Sequence, residues 1–198
     1  MILSVSRRTD IPAFYSDWFF SRLEEGYVLV RNPMNYYQVS KIKLTPDLID
    51  CIVFWTKDPT NMLHRLNEIK NYQYYFQITI TGYDNTIERN VRSKNQLVEA
   101  FKTLSQTLGK KRVIWRYDPI IISPLIDLEF HQKNFAELAM ALSGYTERCI
   151  ISFVDMYSKT ERNMKHLNLQ ELNRKTMLAI GKELSAIGST HGFKIETC

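Results

Sequence analysis

Arginines, carboxylates and hydroxyls recur in this chain at one kind of place, directly after a short apolar, strand-like run. Leu3–Val5 leads into Ser6, Arg7, Arg8, Thr9 and Asp10, and Ile52–Trp55 into Thr56, Lys57, Asp58 and Pro59. Val113–Trp115 leads into Arg116, Tyr117, Asp118 and Pro119, while Ile150–Val154 brackets Ser152 and runs on to Asp155 and Tyr157. In parallel α/β proteins, ligands sit at the carboxyl ends of the strands. Polar chemistry repeated at those ends points to one shared site, and so to an enzyme or a small-molecule binder.

Each group has a plain chemical use and a plain structural alternative. Arg7 and Arg8, feeding a helix N-terminus beside Ser6 and Asp10, suit a phosphate or carboxylate clamp. The alternative is that one arginine pairs with Asp10 and only holds the turn. Trp55 and Lys57 share a side of their strand, and a desolvated lysine there serves as base or Schiff-base nucleophile. An ordinary surface lysine is the other reading. Arg116 and Asp118 share a face opposite Trp115 and Tyr117. They either brace the fold as an ion pair or orient a substrate. Asp155 and Glu196 join Asp118 as general-base candidates, Arg31 adds a cation for an anionic substrate, and Tyr83 and Tyr157 offer hydroxyls or stacking surfaces. His64 and His166 fall on or beside polar helix faces, His191 in a loop, and His131 near a helix start where exposure is expected. No metalloprotease or Ser-His-Asp order and no glycine-rich phosphate loop is present.

The elements that position these residues alternate. Strands are expected over about Ile2–Ser6, Tyr27–Arg31, Cys51–Thr56, Tyr74–Thr81, Arg112–Tyr117, Cys149–Val154 and Phe193–Thr197, with Tyr37–Lys43 as hairpin partner of Tyr27–Arg31. Helices are expected over about Ala13–Glu25, from Asp58-Pro59 onward, and over Asn95–Leu108, Phe130–Leu142 and Leu169–Ile187. Such alternation implies a parallel sheet with right-handed crossovers. Around Tyr74–Thr81 one face is Phe76, Ile78 and Ile80, and the other is Gln77, Thr79 and Thr81. A strand covered by helices on both sides is apolar throughout, so the polar face suggests a solvated barrel interior with Gln77 and Thr79 in the site. Roughly seven βα units approach the eight of a TIM barrel. The expected fold is therefore a TIM-barrel-like (β/α) barrel forming one domain over residues 1–198. Because the last strand stops at Cys198, the barrel is either left open there or belongs to a longer chain.

The composition excludes several classes. With 44% apolar and 24% charged residues, the chain is neither disordered nor a coiled coil. No run approaches the ~20 residues of a membrane span, and the start at Met1-Ile2-Leu3 has no secretory character, so a cytoplasmic location is expected. A net charge of +5 and a pI near 9.0 favour an anionic partner. The aromatic or arginine-rich signatures of a nucleic-acid binder are missing, which leaves that class in third place. Cys51, Cys149 and Cys198 lie far apart, with no CxxC pair. The first two read as reduced thiols and not as a metal centre.

Several junctions carry a resemblance. Ser6-Arg7-Arg8-Thr9-Asp10-Ile11-Pro12-Ala13-Phe14-Tyr15, Gly26–Pro33, Phe54–Lys57 and Gln77-x-Thr79-x-Thr81-Gly82-Tyr83 resemble motifs of an uncharacterised bacterial domain-of-unknown-function family. So do Trp115–Pro119, Ser152–Asp155 and Glu196-Thr197-Cys198. Its longer members end in a cysteine cluster similar to the CxxxCxxC motif of radical S-adenosylmethionine enzymes. The resemblance implies a barrel-like fold, with no established reaction. It also implies that a [4Fe–4S] cluster and S-adenosylmethionine belong to a longer form, where Cys198 would serve as a ligand beside the tail. This chain by itself is expected to bind neither. A hydrolase or lyase of a phosphorylated or carboxylated metabolite, working without a cluster, is the second reading.

Overall fold

The N-terminal residues form elements for identifiable reasons. The Asp10 side chain accepts from the Ala13 amide and caps α1 (Ile11–Phe14), with Pro12 in its first turn. At Tyr15 the backbone leaves helical geometry, so the expected single helix is two, and α2 (Ser16–Glu25) closes on Gly26 in the left-handed conformation at φ 75°. The computed structural model describes residues 1–5, 8–155, 162 and 164–197. Further along are strands β1 (Ile2–Val5), β2 (Tyr27–Arg31), β3 (Val39–Lys43), β4 (Cys51–Thr56) and β5 (Tyr74–Thr79), with a 3-10 helix at Thr60–Ile69. Then come α3 (Lys94–Leu108), β6 (Val113–Ile120), α4 (Leu128–Leu142), β7 (Arg148–Phe153), a short 3-10 turn (Lys165–Leu167), α5 (Arg174–Thr190) and β8 (Lys194–Thr197). The last helix starts later than its apolar spacing suggests, because the Asn173 side chain caps it by accepting from the Thr176 amide.

The strand order is β1-β4-β5-β6-β7-β8, with β2 and β3 as a separate antiparallel hairpin. The described pairings β1/β4, β6/β7 and β7/β8 are parallel, so the parallel α/β class expected from the sequence is present. A closed barrel is not. Six strands make the sheet, and among the described residues no pairing joins β8 back to β1. The polar face of β5 is also not the solvated wall it suggested, since Gln77 and Thr81 are both buried. Alternation shows which face avoids hydrocarbon, not whether water reaches it. No described helix is long and apolar enough to cross a membrane.

The chain divides into two compact units, Met1–Gln77 and Ile78–Cys198. The first is built on β1 and β4, with Ile52, Val53 and Phe54 all buried. Phe54 stacks on Phe76 at 4.6 Å and meets Phe19 of α2 edge-on at 5.4 Å.

In the second unit the side-chain alternation of the strands sorts the residues cleanly. Trp115 and Tyr117 point to α4, where Phe135 lies 4.7 Å from Trp115 and 5.1 Å from Tyr117. Ile151 and Ile195 point to α5. A Cβ at Gly188 would lie 2.9 Å from Ile195 Cδ1, so only glycine lets that helix approach β8 so closely. The opposite face carries Arg116, Ile150 and Glu196 in one row, set by the pairings Arg116↔Ile150↔Glu196. Asp118 and Ser152 follow two residues on, and Arg148 and Lys194 precede.

Candidate functional site

In the second unit, the end of β6 is organised around one carboxylate. Asp118 Oδ2 accepts from Arg116 Nε at 2.9 Å and also from Arg116 Nη2, while Oδ1 accepts from the Ser152 hydroxyl of β7. The Arg116 side chain is 6% exposed and that of Asp118 20%, so the pair is largely desolvated, with the carboxylate as its accessible end. This arrangement fixes Asp118 in orientation. In the next row, Glu196 lies 3.4 Å from Arg148 Nη1 and 3.7 Å from Lys194 Nζ. Both cations are more exposed than their carboxylate partner. The face thus presents a held carboxylate toward the carboxyl end of β6 and, at the amino-terminal ends of β7 and β8, two cations able to turn to an anion.

Behind that face lies a buried polar network. Tyr117 donates its hydroxyl hydrogen to His131 Nδ1 at 2.9 Å, and His131 Nε2 donates to the Ile121 carbonyl at 2.8 Å. The carbonyl can only accept, which fixes the hydrogen on Nε2. The Tyr83 hydroxyl donates to the Pro119 carbonyl at 2.7 Å and accepts from the Ile121 amide at 3.0 Å. The network therefore holds residues 119–121, the segment directly after Asp118. Burial pushes the Tyr83 and Tyr117 hydroxyls well above the usual phenol range, which leaves both protonated.

The expected site residues divide between the units. Arg116, Asp118 and Glu196 share the face just described, and Thr79 is half-buried at the end of β5. Asp155 is exposed past β7, where it lines a separate cavity of about 230 Å³ with Gln170 and Glu171. Arg8, Asp10, Arg31, Trp55, Lys57 and Gln77 belong to the first unit. There Asp10 is committed to structure: beside capping α1, it accepts from the Thr56 hydroxyl at 2.7 Å and the Lys57 amide at 2.7 Å. Arg8 Nη2 donates to the Arg31 carbonyl at 3.0 Å, and the Arg31 guanidinium sits over the Tyr36 ring. Trp55 is exposed and Lys57 half-buried. Ser6, Arg7, Tyr157 and Cys198 lie outside the described residues.

Arg148 and Lys194 were given no role by the sequence, and Ser152, named only at its junction, was given no partner. Ser152 and Arg148 join the face only through the β6/β7 register, a pairing that no local pattern shows. His131 is corrected outright, being fully buried and not exposed. The signal was present in the helical spacing, because His131 lies on the same stripe as Phe135, Leu138, Ala139 and Leu142.

A family model described as Domain of unknown function (DUF1848) matches residues 2–198. The chain belongs to that family. Among curated proteins no sequence matches it. Family membership supports the part of the resemblance that points to an uncharacterised domain family and supplies no reaction, so the chemistry must come from the residues themselves.

The described residues do not fit an iron–sulfur cluster. Cys51 and Cys149 stand at the amino-terminal ends of β4 and β7, away from the carboxyl ends where the polar residues gather. Burial pushes the Cys149 thiol up, against the thiolate that a metal needs. Among the described residues no group of three or more His, Cys, Asp or Glu is placed to hold a metal ion. No step is therefore assigned to a cluster or to S-adenosylmethionine.

The buried imidazole gives a pH prediction. Burial lowers the His131 pKa below its ordinary value of 6.5. The folded state thus resists a proton that the unfolded chain takes up below about pH 6.5. Stability is fully present above that pH and falls as the pH drops toward the lowered folded value, by up to about 1.4 kcal/mol per pH unit. Urea midpoints measured from pH 8 to pH 5 should show this loss, and a His131→Asn variant should flatten it. An unchanged slope in the variant would place the pH dependence elsewhere.

Proposed function

We propose that this chain is the core of an enzyme that acts on an anionic small molecule, bound on the face of the second unit formed by β6, β7 and β8. The observation that supports this most directly is Asp118, whose two oxygens are held by Arg116 and Ser152 while the carboxylate remains partly open. Its role is to accept a proton or hydrogen bond from a substrate. Arg116 acts through Asp118 as a positioning residue, since its Nε and Nη2 are spent on that carboxylate. Arg148 and Lys194 supply the grip on the anion, and Glu196 holds them in place. A cluster-independent hydrolase or lyase fits this set of groups, because a fixed carboxylate on the same face as cations suits proton transfer on an extended phosphorylated or carboxylated substrate.

The test is calorimetric titration with inorganic phosphate, citrate and AMP. An anion that binds this face should lose about tenfold in affinity on Arg148→Ala, in keeping with one charge-assisted hydrogen bond. The surface change Arg174→Ala should leave it unaltered. Equal losses in both variants would move the site off this face. Binding of single-stranded RNA that falls steeply with salt, with none of the small anions bound, would instead support a nucleic-acid module.

A further inference from the structure

Beside the end of β5, the second unit contains a cavity of about 540 Å³, a volume typical of small-molecule sites. Its walls are mixed. Ile80, Val91 and Leu97 give an apolar side, while Asp84, Lys94 and Thr81 bring polar groups to it. It is lined by Thr81 and Tyr83 of the Thr79-x-Thr81-Gly82-Tyr83 stretch, of which Tyr83 also braces the segment after Asp118.

Three features make it more than a crevice. First, Thr81 is 1% exposed and its Oγ1 has no hydrogen-bond partner among the described residues. A buried hydroxyl left unpaired is costly, and native proteins rarely keep one without a reason. Second, the N-terminus of α3 opens at the cavity. Ser93 and Gln96 form a reciprocal capping box, yet the Lys94 and Asn95 amides have no acceptor within the helix. These amides and the helix dipole favour a negative group there. The Lys94 ammonium, which donates to the Gly82 carbonyl, adds a positive charge even as burial pulls its pKa below the ordinary lysine value. Third, the opposite sign is also present. Asp84 lies across the cavity's polar rim with its carboxylate fixed by Thr86, whose amide donates to it at 3.0 Å and whose hydroxyl donates at 2.5 Å. Hydrogen bonds from Thr86 and the charge of Lys94 hold the Asp84 carboxyl below the usual range, so it is anionic at neutral pH.

We propose that this cavity binds a small zwitterion with an apolar body, of the α-amino-acid class. Its carboxylate lies toward Lys94 and the start of α3, its ammonium toward Asp84, and its chain against Ile80, Val91 and Leu97. A simple anion would leave Asp84 repelling it, and a simple amine would meet Lys94. Only a ligand bearing both charges satisfies both ends, and one seated against the Thr81 wall supplies the partner which that hydroxyl lacks. The site is separate from the anion face and does not depend on it.

Three probes that share a six-carbon chain test this: L-norleucine, hexanoate and hexylamine, titrated into the whole chain by calorimetry. Norleucine should bind most tightly. Thr81→Val replaces the hydroxyl by a methyl of the same shape. It should leave the thermal midpoint of the ligand-free protein unchanged or raised, yet weaken norleucine about tenfold. Asp84→Asn should weaken norleucine and strengthen hexanoate, because it removes the charge that repels a plain anion. Arg148→Ala should change nothing here, which keeps this outcome distinct from failure of the anion face. Hexanoate binding as tightly as norleucine would overturn the proposal in favour of a plain anion site. No norleucine binding up to about 10 mM would overturn it altogether. A lowered midpoint in Thr81→Val would do so as well, because the hydroxyl would then be serving the fold.

Discussion

Arg116→Ala should cost about 3–5 kcal/mol of stability, the range seen when one partner of a buried ion pair is removed. The guanidinium is nearly inaccessible and gives Asp118 two of its three hydrogen bonds among the described residues. Without it, a largely desolvated carboxylate is left with the Ser152 hydroxyl alone. Asp118→Asn should also destabilise, because it removes the carboxylate charge held against the guanidinium. The double variant should cost much less than the sum of the two, since each single change already destroys the interaction. Urea unfolding of the four proteins gives the coupling energy directly. Additive losses would mean that Arg116 and Asp118 are held independently, and Arg116 would no longer be the residue that positions Asp118. The same pair replaced by apolar residues of matched volume can be nearly neutral for stability. A fold retained with binding lost in such a variant would point to the pair serving chemistry more than architecture.

Much of this face was readable because strands alternate with a period of two. Arg116 and Asp118 on one side of β6, with Trp115 and Tyr117 on the other, follows from sequence spacing and is what the structure contains. What the sequence could not give was the neighbour across the ladder. Ser152 meets Asp118 because Arg116 pairs with Ile150 and Tyr117 with Ile151, which sets the next residues of the two strands side by side. Neither strand's own pattern states which residue lies opposite which. The barrel expectation failed for a related reason. Gln77, Thr79 and Thr81 look like a wet wall, but a buried polar side chain and a solvated one leave the same mark in the pattern. His131 was misjudged by residue type, although its place on the α4 stripe marked it as core. The break at Tyr15 and the 3-10 form of Thr60–Ile69 left no comparable trace.

The core behind the face should be equally sensitive. Trp115 is fully buried, stacked on Phe135 and edge-on to Phe193 at 5.5 Å, and its indole N–H donates to the Ile80 carbonyl at 2.9 Å. Trp115→Ala removes a large aromatic body and orphans that carbonyl, so a loss of about 3–5 kcal/mol is expected. Trp115→Phe keeps an aromatic ring against Phe135 and gives up the hydrogen bond and part of the volume, which should cost about 1–3 kcal/mol. The other two tryptophans, Trp18 and Trp55, are 46% and 40% exposed. The blue-shifted emission of the folded protein should therefore come from Trp115 and vanish in both variants, which separates a lost reporter from a lost fold. Circular dichroism against urea then measures stability in each. Equal costs for Ala and Phe would assign the effect to the Ile80 hydrogen bond. A graded loss would assign it to packing, and with it the rigidity that keeps β6, and hence Asp118, in place.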